Sequence, residues 1–253
     1  MIHRQSEGVR WLEFELLKGL PIIHGCFMRH GGISSGLLSS LNLGRSVGDE
    51  PGNVTANYRK IEHALSLKGI VSAKLIHGDD VSVITLENFG NIPISDALTT
   101  SLPKCAIAVT QADCQAAIFY DPVNHAMANV HCGWRGSVLD IYAATIRSMK
   151  AIHGTNTSDL LVCVSPSLGP THAEFVNFHT ELPEDFWQFR VKDNFFDFWS
   201  ISRWQLEKAG ILKDHIQIAG EDTYSNLDYF SHRRSTHENL GKCGRQATIC
   251  TLS

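Results

Sequence analysis

The sequence has no run of about 18 apolar residues that could cross a membrane. Its N-terminus, Met1-Ile2-His3-Arg4-Gln5-Ser6-Glu7, opens no apolar stretch of the kind that directs secretion. An excess of one charge is also missing. The 22 Lys and Arg against 26 Asp and Glu leave a net charge of −4, which gives no electrostatic footprint for nucleic acid or an anionic membrane. Charged residues make up only 19% of the chain, too few for a disordered or coiled-coil protein. The seven cysteines, at positions 26, 105, 114, 132, 163, 243 and 250, are odd in number and scattered, and do not form a disulfide framework. These absences point to the cytoplasm. What the chain does have is apolar: 43% of its 253 residues, enough to fill the core of one large domain or two small ones.

Periodicity points to mixed α and β structure. Residues 8–16 and 22–28 read as strands, followed by a Gly/Ser-rich loop over 31–48. Residues 53–67 read as a helix, with Asn53 as cap and Ile61, Ala64 and Leu65 on one face. Strands are expected at 73–75, 81–86 and 106–110, and a hairpin at 116–130 with Asp121-Pro122 and Asn124 marking its turn. Residues 138–153 are apolar at helical spacing, 160–164 read as a buried strand, and 200–209 as a helix stopped by Gly210. Residues 224–230 and 247–251 close the chain. No repeat, low-complexity tract or linker is visible, and pattern alone gives α/β or α+β.

The densest chemistry lies in Ala112-Asp113-Cys114 and in His131-Cys132-Gly133-Trp134-Arg135-Gly136. Cys114 as thiolate binds a soft metal or attacks carbon. His131 is either a metal ligand or the base that makes that thiolate. The hairpin between them brings both to neighbouring strand ends, and His77, in Ile76-His77-Gly78, is a third candidate. Two His and one Cys leave one coordination position open, as in catalytic rather than structural zinc sites. A buried Cys is more often a small apolar residue, and 13 His with seven Cys supply many pairs by chance. The Gly on each side of Trp134-Arg135 tightens the case, because it implies a close backbone turn beside an amphipathic anchor and a cation.

These segments resemble the signature of the multicopper polyphenol oxidase, or laccase-domain (YfiH-like), family. Further matches run in the same order over about residues 24 to 250: Arg29-His30-Gly31-Gly32-Ile33-Ser34, Ser40-Leu41-Asn42-Leu43-Gly44, Val47-Gly48-Asp49-Glu50-Pro51, His77-Gly78, Leu168-Gly169-Pro170 and Ser231-His232-Arg233-Arg234. The chain departs from the family pattern at Gln115-Ala116, at Thr171-His172-Ala173-Glu174, at His232 where the family has Tyr, and in a longer loop through 235–239. These positions bear on substrate preference.

The resemblance implies a single α/β domain over 1–253, with mixed sheets sandwiched between helices as layers α/β/β/α. It also implies a purine nucleoside phosphorylase with one zinc per chain on His77, Cys114 and His131. Such an enzyme acts on adenosine, inosine and S-methyl-5′-thioadenosine and also deaminates adenosine. Its partners are then a small nucleoside and phosphate, with no nucleic acid or membrane, and the chain is expected as monomer or homodimer. Phosphorolysis needs cations near phosphate. Arg135 is the first candidate, and Arg29, Arg45, Arg233 and Arg245 follow. Asp113 or Glu174 is the candidate proton shuttle, with Asp113 alternatively orienting a ligand. Asn42 is a candidate pocket contact, and His172 reads as a solvent-exposed loop residue. Two rivals remain. One is a hydrolase with Cys114 as nucleophile and His131 as base, in line with the peptidoglycan-editing amidases of the family. The other is a copper phenol oxidase, weakened by only four methionines and no dense His-x-His cluster.

Overall fold

The computed structural model describes residues 1–253. The strands are β1 (Ile2–Ser6), β2 (Val9–Glu13), β3 (Ile22–Phe27), β4 (Ile70–Ser72), β5 (Val81–Val83), β6 (Ala97–Thr100), β7 (Ala106–Gln111), β8 (Gln115–Asp121), β9 (Ala126–Cys132), β10 (Leu161–Val164), β11 (Arg190–Lys192), β12 (Phe195–Phe196), β13 (Ile216–Ile218) and β14 (Gln246–Leu252). The helices are α1 (Pro51–Leu65), α2 (Trp134–Val138), α3 (Ile141–His153), α4 (Phe178–Glu181), α5 (Phe198–Lys208) and α6 (His232–His237). Two six-stranded mixed sheets result, ordered β1-β2-β3-β14-β7-β4 and β13-β10-β8-β9-β6-β5, with β11-β12 as a separate ribbon. Each large sheet is antiparallel except at an edge: β4 runs parallel to β7, β5 to β6, and β13 to β10.

Alternation of side chains explains the layering. From β14, Cys250 and Leu252 meet Ile118, Tyr120 and Met127 of the other sheet in one buried cluster. Ala247 and Ile249, on the opposite face of β14, pack instead under Val54, Tyr58, Ile61 and Leu65, which are spaced to form one stripe of α1. The outer face of the second sheet carries Ala117, Phe119, Ala128, Val130 and Cys132 beneath Ile141, Tyr142, Ile146 and Met149 of α3 and Leu206 of α5. Helix, sheet, sheet, helix is therefore the order of layers. Each large apolar side chain buried this way stabilises the fold by about 1.5–3 kcal/mol.

The hairpin forms where expected, and its register pairs Ala116 with His131 and Gln115 with Cys132. Asp121 closes its turn by accepting hydrogen bonds from the amides of Val123 (2.9 Å) and Asn124 (3.0 Å). Other expectations shift. Helix α1 starts at Pro51 with Glu50 in the cap position, not at Asn53, because proline suits a first turn whose amides are unpaired anyway. The 138–153 segment breaks at Asp140, whose left-handed backbone and carboxylate cap α3 through the Ala143 amide. The strand expected at 73–75 lies earlier, at β4, and 224–230 is a run of turns built on Asp222 and Asn226 side chains rather than a strand. Strands β1, β6 and β13 are short and carry no periodic signal.

Candidate metal centre

His131 lies on β9 and points into the crevice between the two sheets, two residues beyond Asn129. That asparagine ties the sheets together, its Nδ2 donating to Ile107 O (3.1 Å) and Thr248 O (2.8 Å). Cys132 shares the outer face with Val130. Cys114 sits in the tight turn from β7 to β8, just after Asp113, whose φ of +82° is left-handed. His77 comes from the loop after β4, also left-handed at φ +60°. The donor atoms of His77, Cys114 and His131 all lie within 4.8 Å of one another, and the two imidazole rings meet edge to face at 4.9 Å.

Asp96, one residue before β6, organises this trio, and sequence reasoning missed it. Its buried Oδ1 accepts from His131 Nδ1 (2.8 Å) and from the His77 amide (2.9 Å), while Oδ2 accepts from the amides of Ile76 (3.1 Å) and Gly78 (2.9 Å). One carboxylate thus bends the His77 loop and leaves His131 Nε2 to face Cys114 and His77. Burial works against ionising Asp96, but the His131 hydrogen bond and the backbone amides outweigh it and hold its carboxyl below the ordinary range. Burial likewise opposes a Cys114 thiolate, yet the adjacent His131 and His77 bring the thiol down to about 6. His131 moves the other way. Burial disfavours its charge, but the Cys114 sulfur and Asp96 hold it up at about 9.

The space around the trio suits an ion. Gly133 has ordinary extended backbone, so its small size is what counts there. A Cβ at this position lies 3.1 Å from Cys114 Sγ, 3.2 Å from His77 Cδ2 and 3.7 Å from His131 Cε1. A thiolate, two imidazoles and a carboxylate behind one imidazole form a donor set that fits a borderline-soft divalent metal with one position left open.

Two cavities meet at Cys114. One, of about 630 Å³, also reaches His77 and His131 and is edged by Arg45, Lys74 and Arg245, with no carboxylate in its lining. The other, of about 250 Å³, has Trp134, Phe175 and Phe198 as walls and Asp113 and Arg233 at its edge. His232 lines both.

The remaining residues singled out in the sequence divide clearly. Arg45 faces the first cavity with its guanidinium over Tyr58 (5.0 Å). Arg233 lines the second, although its guanidinium nitrogens donate to His172 O (3.0 Å) and Glu174 O (3.1 Å). Both oxygens of Asp113 are engaged, by Thr223 Oγ1 (2.7 Å) and the Arg233 amide (2.6 Å). That carboxylate therefore holds the α6 segment against the Cys114 turn. Asn42 is fully buried and its Oδ1 accepts from the Gly44 (3.0 Å) and Arg245 (2.9 Å) amides, so it shapes the loop that carries Arg45 rather than the cavity wall. Arg29 packs over Phe230 (4.5 Å) and lines neither cavity. Arg135 is exposed, with its guanidinium over Trp134 (4.8 Å), and also lines neither. His172 is partly buried, hydrogen-bonded to Asp222 (2.7 Å) and stacked on Tyr224, not a free loop residue. No methionine lines either cavity.

The family description multi-copper polyphenol oxidoreductase laccase matches residues 23–253. A human protein named purine nucleoside phosphorylase LACC1 is 31% identical over 227 residues, 84% of this chain and 52% of its own length, so the chain spans about half of that relative. A Pseudomonas aeruginosa protein named purine nucleoside phosphorylase PA4543 is 30% identical over 234 residues, 88% of this chain and 90% of the relative. The crystal structure of YlmD from Geobacillus stearothermophilus superposes with a TM-score of 0.87 at 25% identity, over 98% of this chain and 97% of that one. No helix of the present fold is long and apolar enough to cross a membrane. The match runs nearly the whole length of the sequence, and on that ground the chain belongs to the multi-copper polyphenol oxidoreductase laccase family.

Proposed function

We propose that this protein is a zinc-dependent purine nucleoside phosphorylase, acting in the cytoplasm on adenosine, inosine and S-methyl-5′-thioadenosine, and that the same centre deaminates adenosine. The observation that carries the reading is the placement of His77, Cys114 and His131 where a basic cavity meets an aromatic one. The names of the relatives at 30–31% identity support it. Zinc held by these three residues would supply a Lewis acid at the site. Arg45, Lys74 and Arg245 bind phosphate, and the planar guanidinium forks suit its oxygens. Trp134, Phe175 and Phe198 receive the apolar part of the nucleoside and exclude water. In phosphorolysis a phosphate oxygen bonds to the anomeric carbon as its bond to the purine nitrogen breaks, and the purine leaves with a proton. His232 stands between the cavities, where that proton is needed. Arg135, turned to solvent, takes no part in holding phosphate.

The test is an assay of purified protein on inosine, adenosine and S-methyl-5′-thioadenosine, with and without phosphate, beside elemental analysis. Free purine base released only with phosphate, ammonia released from adenosine without it, and about one zinc per chain are expected. Phosphate-independent release of base, or no release at all, overturns the phosphorylase reading. The lowered Cys114 thiol beside His131 and Asp96 favours one second reading, a cysteine hydrolase acting on an amide. A metal-free and fully active enzyme promotes that reading over the zinc one.

A further inference from the structure

The basic cavity does not end at Arg245. Ser46, His232 and Arg245 are shared with a groove of about 670 Å³ that runs on beneath the loop after α6 to Lys242. Lys242 is exposed, and its ammonium donates only to Gly48 O (3.2 Å). Arg245 uses Nη1 on the carbonyls of Cys243 (2.8 Å) and Gly244 (3.0 Å), which leaves Nη2 unpaired. No Asp or Glu lines either space. In a chain with 26 acidic residues against 22 basic ones, two adjoining carboxylate-free spaces lined by Arg45, Lys74, Arg245 and Lys242 favour an anion by charge. A single inorganic phosphate spans a few ångströms and fills one end. The cation at the far end has no role in phosphorolysis.

We propose that the groove takes the phosphate of a nucleoside 5′-monophosphate, so that the protein binds nucleotides as well as nucleosides. The assignment rests on the nucleoside reading of the metal centre. With the sugar at the junction of the two spaces, a 5′-phosphate extends past Arg245 to Lys242, while the base stays on the Cys114 side.

Calorimetric titration of the purified protein in phosphate-free buffer with adenosine 5′-monophosphate, adenosine and ribose 5-phosphate tests this. Adenosine 5′-monophosphate binds about tenfold more tightly than adenosine, the size of one charge-assisted contact, and added salt erodes that advantage. Lys242→Gln, which removes the charge, removes most of the advantage and leaves adenosine affinity and inosine phosphorolysis unchanged. A nucleotide that binds no better than adenosine overturns the proposal, as does an advantage that survives Lys242→Gln. Ribose 5-phosphate binding as tightly as the nucleotide also overturns it, because the base then adds nothing. If the nucleotide binds through Lys242 while nucleosides are neither bound nor cleaved, the groove stands and the phosphorylase reading falls.

Discussion

The Asp96 carboxylate and the His131 imidazole are joined by a 2.8 Å hydrogen bond in a fully buried setting, and the same carboxylate oxygen also holds the backbone amide of His77. One side chain therefore orients the His131 ring and shapes the loop that carries His77. Partners of this kind, once removed, typically cost about ten- to a hundredfold in metal affinity. Asp96→Asn keeps the size but can no longer accept at both oxygens. We expect zinc to be lost to a chelator at a concentration about ten- to a hundredfold lower than for the native protein. Equal retention in a chelator titration shows that Asp96 does not hold the ligands.

Gly133 tests the cradle without replacing any of its three donor residues. Its backbone conformation is open to alanine, so Gly133→Ala brings no backbone strain, only a methyl group at 3.1–3.2 Å from Cys114 and His77. Metal occupancy by elemental analysis is expected to fall sharply, while the melting temperature measured in chelator stays close to that of the native protein. A variant that keeps full zinc shows that the ligands can move aside.

Cys114, one residue before β8, and Cys132, at the end of β9, have opposite fates. Cys132 packs with Val130 and Tyr142 on the outer face, and burial pushes its thiol up to about 12. Cys114→Ser should abolish zinc binding and activity. Cys132→Ser should keep both and lower stability by about 1–3 kcal/mol, because a more polar group is buried in an apolar cluster beside Val130 and Ile141, with the Gly133 carbonyl as its nearest backbone acceptor. Equal zinc loss from both variants shows that the β8–β9 register differs.

The hairpin and the trio were legible because they combine a turn signal with period-two alternation and residue types of narrow chemical use. Asp96 was not. A single acidic residue before a four-residue strand has no sequence signature, and its role arises only when β6 pairs beside β9. Asn42 shows the limit of such reading: polarity in a loop marks a cavity contact and a structural clamp equally well. Tertiary hydrogen bonds separate the two, since Asn42 accepts from an amide 203 residues away. The short strands β1 and β13 lie at sheet edges, where pairing rather than periodicity makes the strand.

Acid stability should report His24. The ring, on β3, is buried and accepts a 2.8 Å hydrogen bond from the Phe14 amide through Nε2, which requires the neutral form. Burial, partly opposed by the nearby Glu13 carboxylate, lowers its pKa to about 4 from an ordinary 6.5. Between these values the unfolded chain takes up a proton that the native state refuses. Stability therefore falls as the pH drops through 6.5 towards about 4, and this contribution levels off below that point. The full loss is on the order of 3 kcal/mol. His24→Gln can still accept from Phe14 but does not titrate. Urea unfolding at pH 7 and at pH 4.5 should show the native protein losing more stability than the variant on acidification, whatever the cost of the substitution at neutral pH. Parallel losses in the two proteins assign the acid sensitivity elsewhere, to His153, whose pKa burial also lowers, or to the buried carboxylates.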